Sequence, residues 1–180
     1  MVWSLIVIVF LASADQLLKT VVRTSLSPQD SIQVINGFFY LVHRSNPGAA
    51  FSLLANREWG IYLLIVISSV VTVAMLVIIY HSRHFRLTAC LSLICAGSLG
   101  NLVDRIRYKA VTDYLDFHFG SFIFPTFNLA DILIVCGTFL LALLILTDQH
   151  LFDNWAKGIQ KNTVVSAIQQ EETDGNKSNN

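Results

Sequence analysis

The sequence has few charged residues: Asp, Glu, Lys and Arg make up 13% of its 180 residues, while hydrophobic residues make up 54%. Soluble domains average about a quarter charged residues, so this composition excludes an ordinary water-soluble domain. Positive and negative charges balance, with a formal net charge of +0. Without a basic excess, no nucleic-acid partner held through phosphate contacts is expected.

Cysteine pairs and metal-binding patterns are also scarce. The three cysteines, Cys90, Cys95 and Cys136, all lie in apolar runs, and an odd number of such thiols does not indicate a disulfide framework. The five histidines lack the spacing of metal ligands, and no H-E-x-x-H, G-x-S-x-G or G-x-x-x-x-G-K-[ST] motif is present. The sequence therefore predicts no metal and no cofactor.

Four apolar segments are long enough to cross a membrane as helices. They lie at residues 2–22, 59–80, 87–105 and 127–147. The 22 residues of 59–80 carry no charge. As a helix they would extend roughly 33 Å, more than the hydrocarbon thickness of about 30 Å. We therefore predict an all-α polytopic membrane protein with four transmembrane helices.

The first segment has a second interpretation as a cleaved signal peptide, because Ala-Ser-Ala before Asp15 is similar to a cleavage site. A positively charged region at its start is missing, however, and apolar residues resume directly after Asp15. A retained helix is therefore favoured. We predict one membrane domain over residues 1–162 and a polar, disordered tail over 163–180.

The connection over residues 24–58 is rich in β-forming residues. Asn36-Gly37 lies between two such runs in SIQVINGFFYLV, and this dipeptide is a strong signal for a hairpin turn with positive φ at both turn residues. The sequence therefore predicts a small extracytoplasmic β-hairpin or sheet that rests on the membrane surface.

The basic residues suggest an orientation in the membrane. Arg83 and Arg86 lie in the short loop between the second and third segments, and Lys157 and Lys161 follow the fourth. Cytoplasmic loops carry an excess of Lys and Arg, so this loop and both termini are predicted to be cytoplasmic. The bias is modest, because Arg44, Arg57, Arg107 and Lys109 lie in the other connections.

Several polar residues lie at or near the ends of the apolar segments, where a charge is expensive unless it is paired or functional. They are Asp15, Lys19, Asn46, Asn101, Asp104, Arg105, Asp113, Asn128 and Asp131. Some have simple structural explanations. Asp15 and Lys19 are four residues apart and could form a local ion pair on one helix. Asp104 and Arg105 could end a span at the membrane interface.

Two of the carboxylates suggest a catalytic pair. Asp113 lies just beyond the third segment and Asp131 opens the fourth, so a re-entering segment between adjacent helices could bring them together. Two carboxylates about 3 Å apart cannot both ionise near neutral pH, and the pair then supplies both a base and an acid. Asp116 is an alternative partner by spacing. His118 lies nearby and is more often a structural histidine than a base.

Five sequence blocks, taken together, resemble one family. DQLLK (15–19), NPGAAFS (46–52), GSLGNLVDR (97–105), VTDYLDF (111–117) and FNLAD (127–131) are similar, in this order, to lipoprotein signal peptidase, the type II signal peptidase of bacteria. The resemblance implies an aspartic endopeptidase of the bacterial cytoplasmic (inner) membrane. Its substrates would be diacylglyceryl-modified prolipoproteins, cut on the N-terminal side of the lipidated cysteine. We expect a monomer in contact with membrane lipids, with its active site near the extracytoplasmic face.

The resemblance also implies roles for the polar residues. Asp113 and Asp131 would be the catalytic pair. Asn46, Asn101, Arg105 and Asn128 would orient the substrate and the pair, and Asp15 and Lys19 would stabilise the site from the first helix. Asp104 would hold Arg105 or a helix end. The sequence departs from the family at Ser98, Thr112 and Tyr114, where glycine, valine and phenylalanine are common.

Two other classes of protein remain as alternatives. The charges could form an ion or proton relay in a small transporter or channel subunit, or they could be paired between helices in a structural subunit. A relay needs ionisable groups distributed through the depth of the membrane. Here the groups gather at one end of the segments, which favours the peptidase.

Overall fold

The computed structural model describes residues 2–48 and 59–148. The elements follow in the order α1 (Val2–Ser25), β1 (Ser31–Ile35), β2 (Phe39–Asn46), α2 (Gly60–His81), α3 (Phe85–Tyr108), β3 (Val111–Phe119), β4 (Phe122–Ile123) and α4 (Leu129–Thr147). All four helices are long and apolar enough to cross a membrane, which confirms the predicted spans. The helix ends differ from the predicted ones by at most three residues. The predicted tail, 163–180, lies outside the described residues.

Helix α3 is the central helix of the bundle. Buried residues make up 67% of its most apolar 18-residue stretch, against 11 to 22% in the other three helices. It packs against α1, α2 and α4, and Cys95 and Ala96 in its middle are fully buried. The other helices keep many exposed apolar side chains, as expected for surfaces that face lipid.

Close packing of α3 against α4 depends on a small residue. A Cβ atom on Gly97 would collide with the backbone carbonyl oxygen of Ala130, and it would lie 2.8 Å from Cγ1 of Ile134. The absence of a side chain at Gly97 therefore lets the two backbones approach at the end of α4 where Asn128 and Asp131 lie.

The four strands form one antiparallel sheet in the order β1-β2-β3-β4. The predicted hairpin is confirmed, but its turn differs from the prediction. Ile35 pairs with Phe39 across a three-residue loop, and only Gly37 of Asn36-Gly37 has positive φ, at 66°. The longer loop removes the need for a left-handed conformation at Asn36.

The sheet is larger than the predicted β region over 24–58, because β3 and β4 come from the chain between α3 and α4. The segment around Asp113, between α3 and α4, is a strand: these residues form β3, which pairs with β2 over most of its length. Its β-branched and aromatic residues suit a strand that is buried between a sheet neighbour and the helix ends.

The chain reverses direction abruptly between α3 and β3. Lys109 ends α3 in the left-handed conformation, with φ 56°, and its N–H donates to the carbonyl oxygen of Arg105. Only Lys109 and Ala110 separate the helix from the strand. The sheet therefore lies at the C-terminal end of α3 and the N-terminal end of α4, opposite the short α2–α3 connection.

Candidate active site

Asp113 is held on β3 by two side-chain amides. Its side chain is almost fully buried, with the residue 3% exposed. Asn128 Nδ2 donates to Asp113 Oδ1 at 2.6 Å, and Asn46 Nδ2 donates to Asp113 Oδ2 at 3.1 Å. The antiparallel pairing of β2 with β3 brings Asn46 into reach. Each oxygen of the Asp113 carboxylate therefore accepts one hydrogen bond from a side-chain amide.

Asp131 and Asn128 form a capping box at the start of α4. The Asn128 side-chain oxygen accepts a hydrogen bond from the N–H of Asp131 at 3.1 Å, and Asp131 Oδ2 accepts one from the N–H of Asn128 at 3.2 Å. This reciprocal arrangement satisfies two backbone donors at the helix N-terminus. Because Asn128 also contacts Asp113, one residue links the two carboxylates that were predicted to meet.

The orientation of each amide at the two carboxylates is determined by a second hydrogen bond. The Oδ1 atoms of Asn46, Asn101 and Asn128 accept from the N–H of Gly48, from Lys19 Nζ and from the N–H of Asp131, respectively. Each oxygen is thus occupied, so each NH₂ group must point to a carboxylate. For Asn101 that carboxylate is Asp131, at 2.8 Å.

On the buried side of Asn101, a group of charged side chains joins α1 to α3. Lys19 Nζ lies 2.9 Å from Asp15 Oδ2 and 3.3 Å from Asp104 Oδ2, and all three side chains are fully buried. Asp15 Oδ1 also accepts from the N–H of Ala130 at 2.9 Å. A Cβ at Gly100 would collide with Asp15 Oδ2, so glycine is needed there. The predicted Asp15–Lys19 ion pair is present, and it extends to α3 and α4.

Asp104 contacts four partners on α1 and β3. Besides Lys19, it accepts from Gln16 Nε2 at 3.0 Å and from Arg23 Nη1 at 3.3 Å. Its other contact is with the N–H of Thr112 at 3.0 Å, directly after the α3–β3 turn. Asp104 itself is fully buried, so removal of its carboxylate would leave several donors unpaired.

Arg105 lies on the more open side of the site. It interacts electrostatically with Asp131, Asp113 and Asp104, and Nη2 lies 3.5 Å from the carbonyl oxygen of Gly48. Asn46, Arg105 and Asp131 are partly exposed, whereas Asp113 and Asn128 are buried. A peptide could therefore reach the carboxylates from the side of Asn46 and Arg105. Residues 49–52 of the NPGAAFS block lie outside the described residues.

Burial and a neighbouring negative charge change the acidity of Asp113. Burial raises the pKa of Asp113 to about 6, and the charge of Asp131 adds to this effect. The amides of Asn46 and Asn128 act in the opposite direction, because they donate to the ionised form. Two close carboxylates titrate as a pair rather than independently. The arrangement can therefore retain a proton that an exposed aspartate would lose.

Asp116 does not join this group. It lies three positions after Asp113 on β3, so its side chain points to the other face of the strand. There Asp116 Oδ2 lies 3.0 Å from His118 Nε2, and the His118 ring packs 4.5 Å from that of Tyr40. Asp116 is thus not the partner of Asp131, and His118 has a structural contact.

Sequence reasoning missed four polar residues that contact the site. Gln16 and Arg23 bind Asp104, Thr112 accepts from Arg23 Nη1 at 2.9 Å, and the Tyr114 hydroxyl oxygen accepts from the N–H of Leu129 at 3.2 Å. Burial raises the pKa of Tyr114 to about 12, so this phenol stays neutral. The usable signal was helical spacing, because Gln16, Lys19 and Arg23 share one face of α1.

The fold and the site together define a class: a polytopic membrane protein that holds a carboxylate pair between its helix ends and a small antiparallel sheet. Residues 6–147 match the family described as signal peptidase (SPase) II. The chain belongs to this family and is a membrane peptidase.

Similar proteins agree with this assignment. The chain is 39% identical over 137 residues to a lipoprotein signal peptidase of Moorella thermoacetica, covering 76% of this chain and 88% of the relative. It is 42% identical over 144 residues to one of Halothermothrix orenii, covering 79% and 93%. Among solved structures it is similar to a bacterial membrane enzyme determined by the in meso method at 2.3 Å resolution, with a TM-score of 0.73 and 28% identity. That match covers 83% of this chain and 90% of the other.

Proposed function

We propose that the protein is an aspartic endopeptidase that removes the signal peptide from diacylglyceryl-modified prolipoproteins. It would cut on the N-terminal side of the lipidated cysteine, in the bacterial cytoplasmic membrane. The observation that carries this proposal is the joining of Asp113 and Asp131 through Asn128, in a chain that belongs to the signal peptidase II family. One chain supplies both carboxylates and the amides that hold them, so a monomer suffices.

The proposed reaction uses one ionised and one protonated carboxyl group. The ionised carboxylate accepts a proton from a water molecule, whose oxygen attacks the peptide carbonyl carbon. The protonated carboxyl group hydrogen-bonds to the carbonyl oxygen as negative charge develops there. When the carbon–nitrogen bond breaks, the leaving amine takes up a proton from the pair. The raised pKa of Asp113 favours this residue as the holder of the shared proton.

The polar residues on the open side suit the binding of a peptide backbone. Asn46 and Arg105 are partly exposed, and Arg105 brings a positive charge next to both carboxylates. Guanidinium and amide N–H groups donate to carbonyl oxygens. We propose that they hold the segment around the cleaved bond, while Asn101, Asp15, Lys19 and Asp104 keep the pair in position from the buried side.

The direct test uses the purified full-length protein and a precursor that carries diacylglyceryl cysteine. Mass spectrometry should show a released signal peptide and a mature product that begins with the lipidated cysteine. A preparation with both Asp113 and Asp131 changed to asparagine is the control. No release by the wild-type protein, or equal release by the control, contradicts the proposal.

An ion relay is the less favoured function. The described charges near the two carboxylates are engaged with one another at one end of the helices, and a relay requires groups distributed through the membrane.

Asn46→Ala is expected to alter the pH dependence of cleavage. The Asn46 amide stabilises ionised Asp113, so its removal raises the pKa of Asp113. Since the proposed pair must retain a proton, activity is lost as pH rises through this pKa, and the alkaline limb of kcat/KM should move to higher pH. Loss of a hydrogen bond to a carboxylate should also reduce kcat/KM by roughly 10- to 100-fold.

Asn36→Ala, in the exposed hairpin turn, is the matched control and should behave like the wild-type protein. An alkaline limb that stays in place, or moves to lower pH, would exclude Asp113 as the group that must keep the proton.

We propose that both termini are cytoplasmic and that the site faces the extracytoplasmic side. In a variant with its cysteines replaced by alanine, a cysteine introduced at Ser82 should resist a membrane-impermeant thiol reagent in intact cells. A cysteine at Gly37 should react almost completely, because this turn lies at the opposite end of the bundle. Both positions should react in detergent. The reverse pattern in intact cells would place the site on the cytoplasmic side.

A further inference from the structure

Arg23, in the last turn of α1, ties three elements together at the base of the site. Its Nη1 donates to Thr112 Oγ1 at 2.9 Å and to Asp104 Oδ1 at 3.3 Å. Its guanidinium carbon lies 4.4 Å from the centre of the Tyr108 ring, within cation–π distance. The side chain is 16% exposed. Arg23 therefore connects α1 to the end of α3 and to the first residues of β3.

Thr112 is held through both its backbone and its side chain. Its N–H donates to Asp104 Oδ2 at 3.0 Å, while its hydroxyl oxygen accepts from Arg23. The residue is 5% exposed. Successive side chains on a strand point to opposite faces, so fixing Thr112 on one face also fixes the direction in which Asp113 points on the other.

The turn before Thr112 is a place where such support is needed. Lys109 has a left-handed conformation that residues with a side chain adopt uncommonly, and only Ala110 and Val111 lie between it and Thr112. At the other face, Asp113 must meet Asn46 and Asn128 at hydrogen-bond distance. A shift at the beginning of β3 would move Asp113 relative to both amides.

We propose that Arg23, Asp104 and Thr112 form a clamp that positions Asp113 by fixing the start of β3. Arg23 and Thr112 are positioning residues, because their contacts reach Asp113 only through the strand. This inference rests on the proposed catalytic role of Asp113. It adds the hydroxyl of Thr112 to the groups that determine the rate of cleavage.

Thr112→Val tests the clamp, because it removes the hydroxyl but keeps the β-branched shape. In the cleavage assay with the full-length protein and the diacylglyceryl precursor, Thr112→Val should lower kcat about 10-fold, since small displacements of a reacting group are costly. KM should change less than about twofold, since Thr112 does not contact the substrate. Thr112→Ser keeps the hydroxyl and should remain within about threefold of the wild-type kcat.

A double variant tests whether Arg23 and Thr112 act through the same contact, and a further single variant serves as the control. Arg23→Met with Thr112→Val should cost little more than Arg23→Met alone, because Arg23→Met already removes the contact with the Thr112 hydroxyl. Thr24→Val also exchanges a hydroxyl for a methyl group, on the exposed side of α1 next to Arg23, and should leave kcat unchanged.

The pH profile separates positioning from a purely structural role. The charged groups that face Asp113 are Asp131 on α4, Lys19 on α1, Arg105 on α3 and Arg44, which lies opposite Asp113 on β2. None of them is changed in Thr112→Val. The amides of Asn46 and Asn128 lower the pKa of Asp113. If Asp113 moves away from them, the alkaline limb of kcat/KM should shift to higher pH in Thr112→Val, and it should keep its position in Thr112→Ser.

Unchanged kcat in Thr112→Val overturns the clamp, even when its melting temperature falls. An equal loss in Thr112→Ser, or a loss of kcat without movement of the alkaline limb, overturns it as well. Asp113→Asn in the same assay distinguishes the two proposals. Normal turnover by Asp113→Asn removes the proposed function, whereas an inactive Asp113→Asn beside a fully active Thr112→Val removes only the clamp.

Discussion

Replacement of Asp113 or Asp131 by asparagine is expected to abolish cleavage while the protein still inserts and accumulates. An amide can neither accept a proton from water nor deliver one to the leaving amine, so each change should reduce kcat by on the order of 10³-fold or more. Release of the signal peptide under single-turnover conditions measures the rate, and immunoblotting of membranes measures the amount of protein.

The folded structure should tolerate both changes. At position 131, an asparagine oxygen can still accept the hydrogen bond from the N–H of Asn128, so the capping box remains. At position 113, one oxygen remains to accept from Asn46 or Asn128. The double variant should lose little more activity than either single one, because the two groups act as a unit.

Asp116→Asn is the matched control for this experiment. It changes a buried aspartate on the same strand, but on the opposite face and beside His118. It should keep activity within about threefold of the wild-type protein. Chelators should have no effect, because no metal is proposed. Normal turnover by either Asp113→Asn or Asp131→Asn would exclude these two residues as the catalytic pair. Loss of activity in Asp116→Asn alone would place the active site on the other face of β3.

The second large effect concerns the lipid on the substrate. A precursor with an unmodified cysteine should be cut at least about 100-fold more slowly than the same precursor with diacylglyceryl cysteine. This ratio corresponds to roughly 2.7 kcal/mol of transition-state binding. The carboxylates lie where helix ends meet the sheet, so acyl chains in the bilayer would place the cysteine at the depth of the site. Each buried methylene contributes about 0.8 kcal/mol of membrane anchoring.

Mass spectrometry of the products from the two precursors measures this ratio. Both precursors should be present in the same detergent or lipid mixture, at concentrations well below KM, so that the ratio reports kcat/KM. Equal cleavage of the two would show that the lipid is not recognised. Cleavage of neither would instead contradict the proposed function as a whole.

Part of the site could be predicted because its residues are unusual where they occur. Asp131 opens a nearly uncharged helix, and Asp15 and Lys19 interrupt another, and polar groups in such positions need partners. The position of Asn128 at the start of α4 agrees with the preference for asparagine as an N-cap residue. Thr112 gave no such signal, because a threonine in a strand is common. Arg23 could be found only through its helical spacing from Lys19 on α1.

The sequence by itself determined the four membrane spans, because a helix must bury about 30 Å of apolar length to cross the hydrocarbon layer. It also indicated that polar residues such as Asp15, Lys19 and Asp131, which interrupt or open apolar segments, need partners. Only the tertiary structure decided how these residues pair. Asn46 and Asp113 are 67 residues apart, Lys19 and Asn101 are 82 apart, and Asp15 and Ala130 are 115 apart. Such contacts depend on the pairing of β2 with β3 and on the close packing of α3 against α1 and α4. Hydrogen bonds between distant residues leave no periodic pattern in the chain, so only the assembled fold shows that Asn128 joins the two carboxylates.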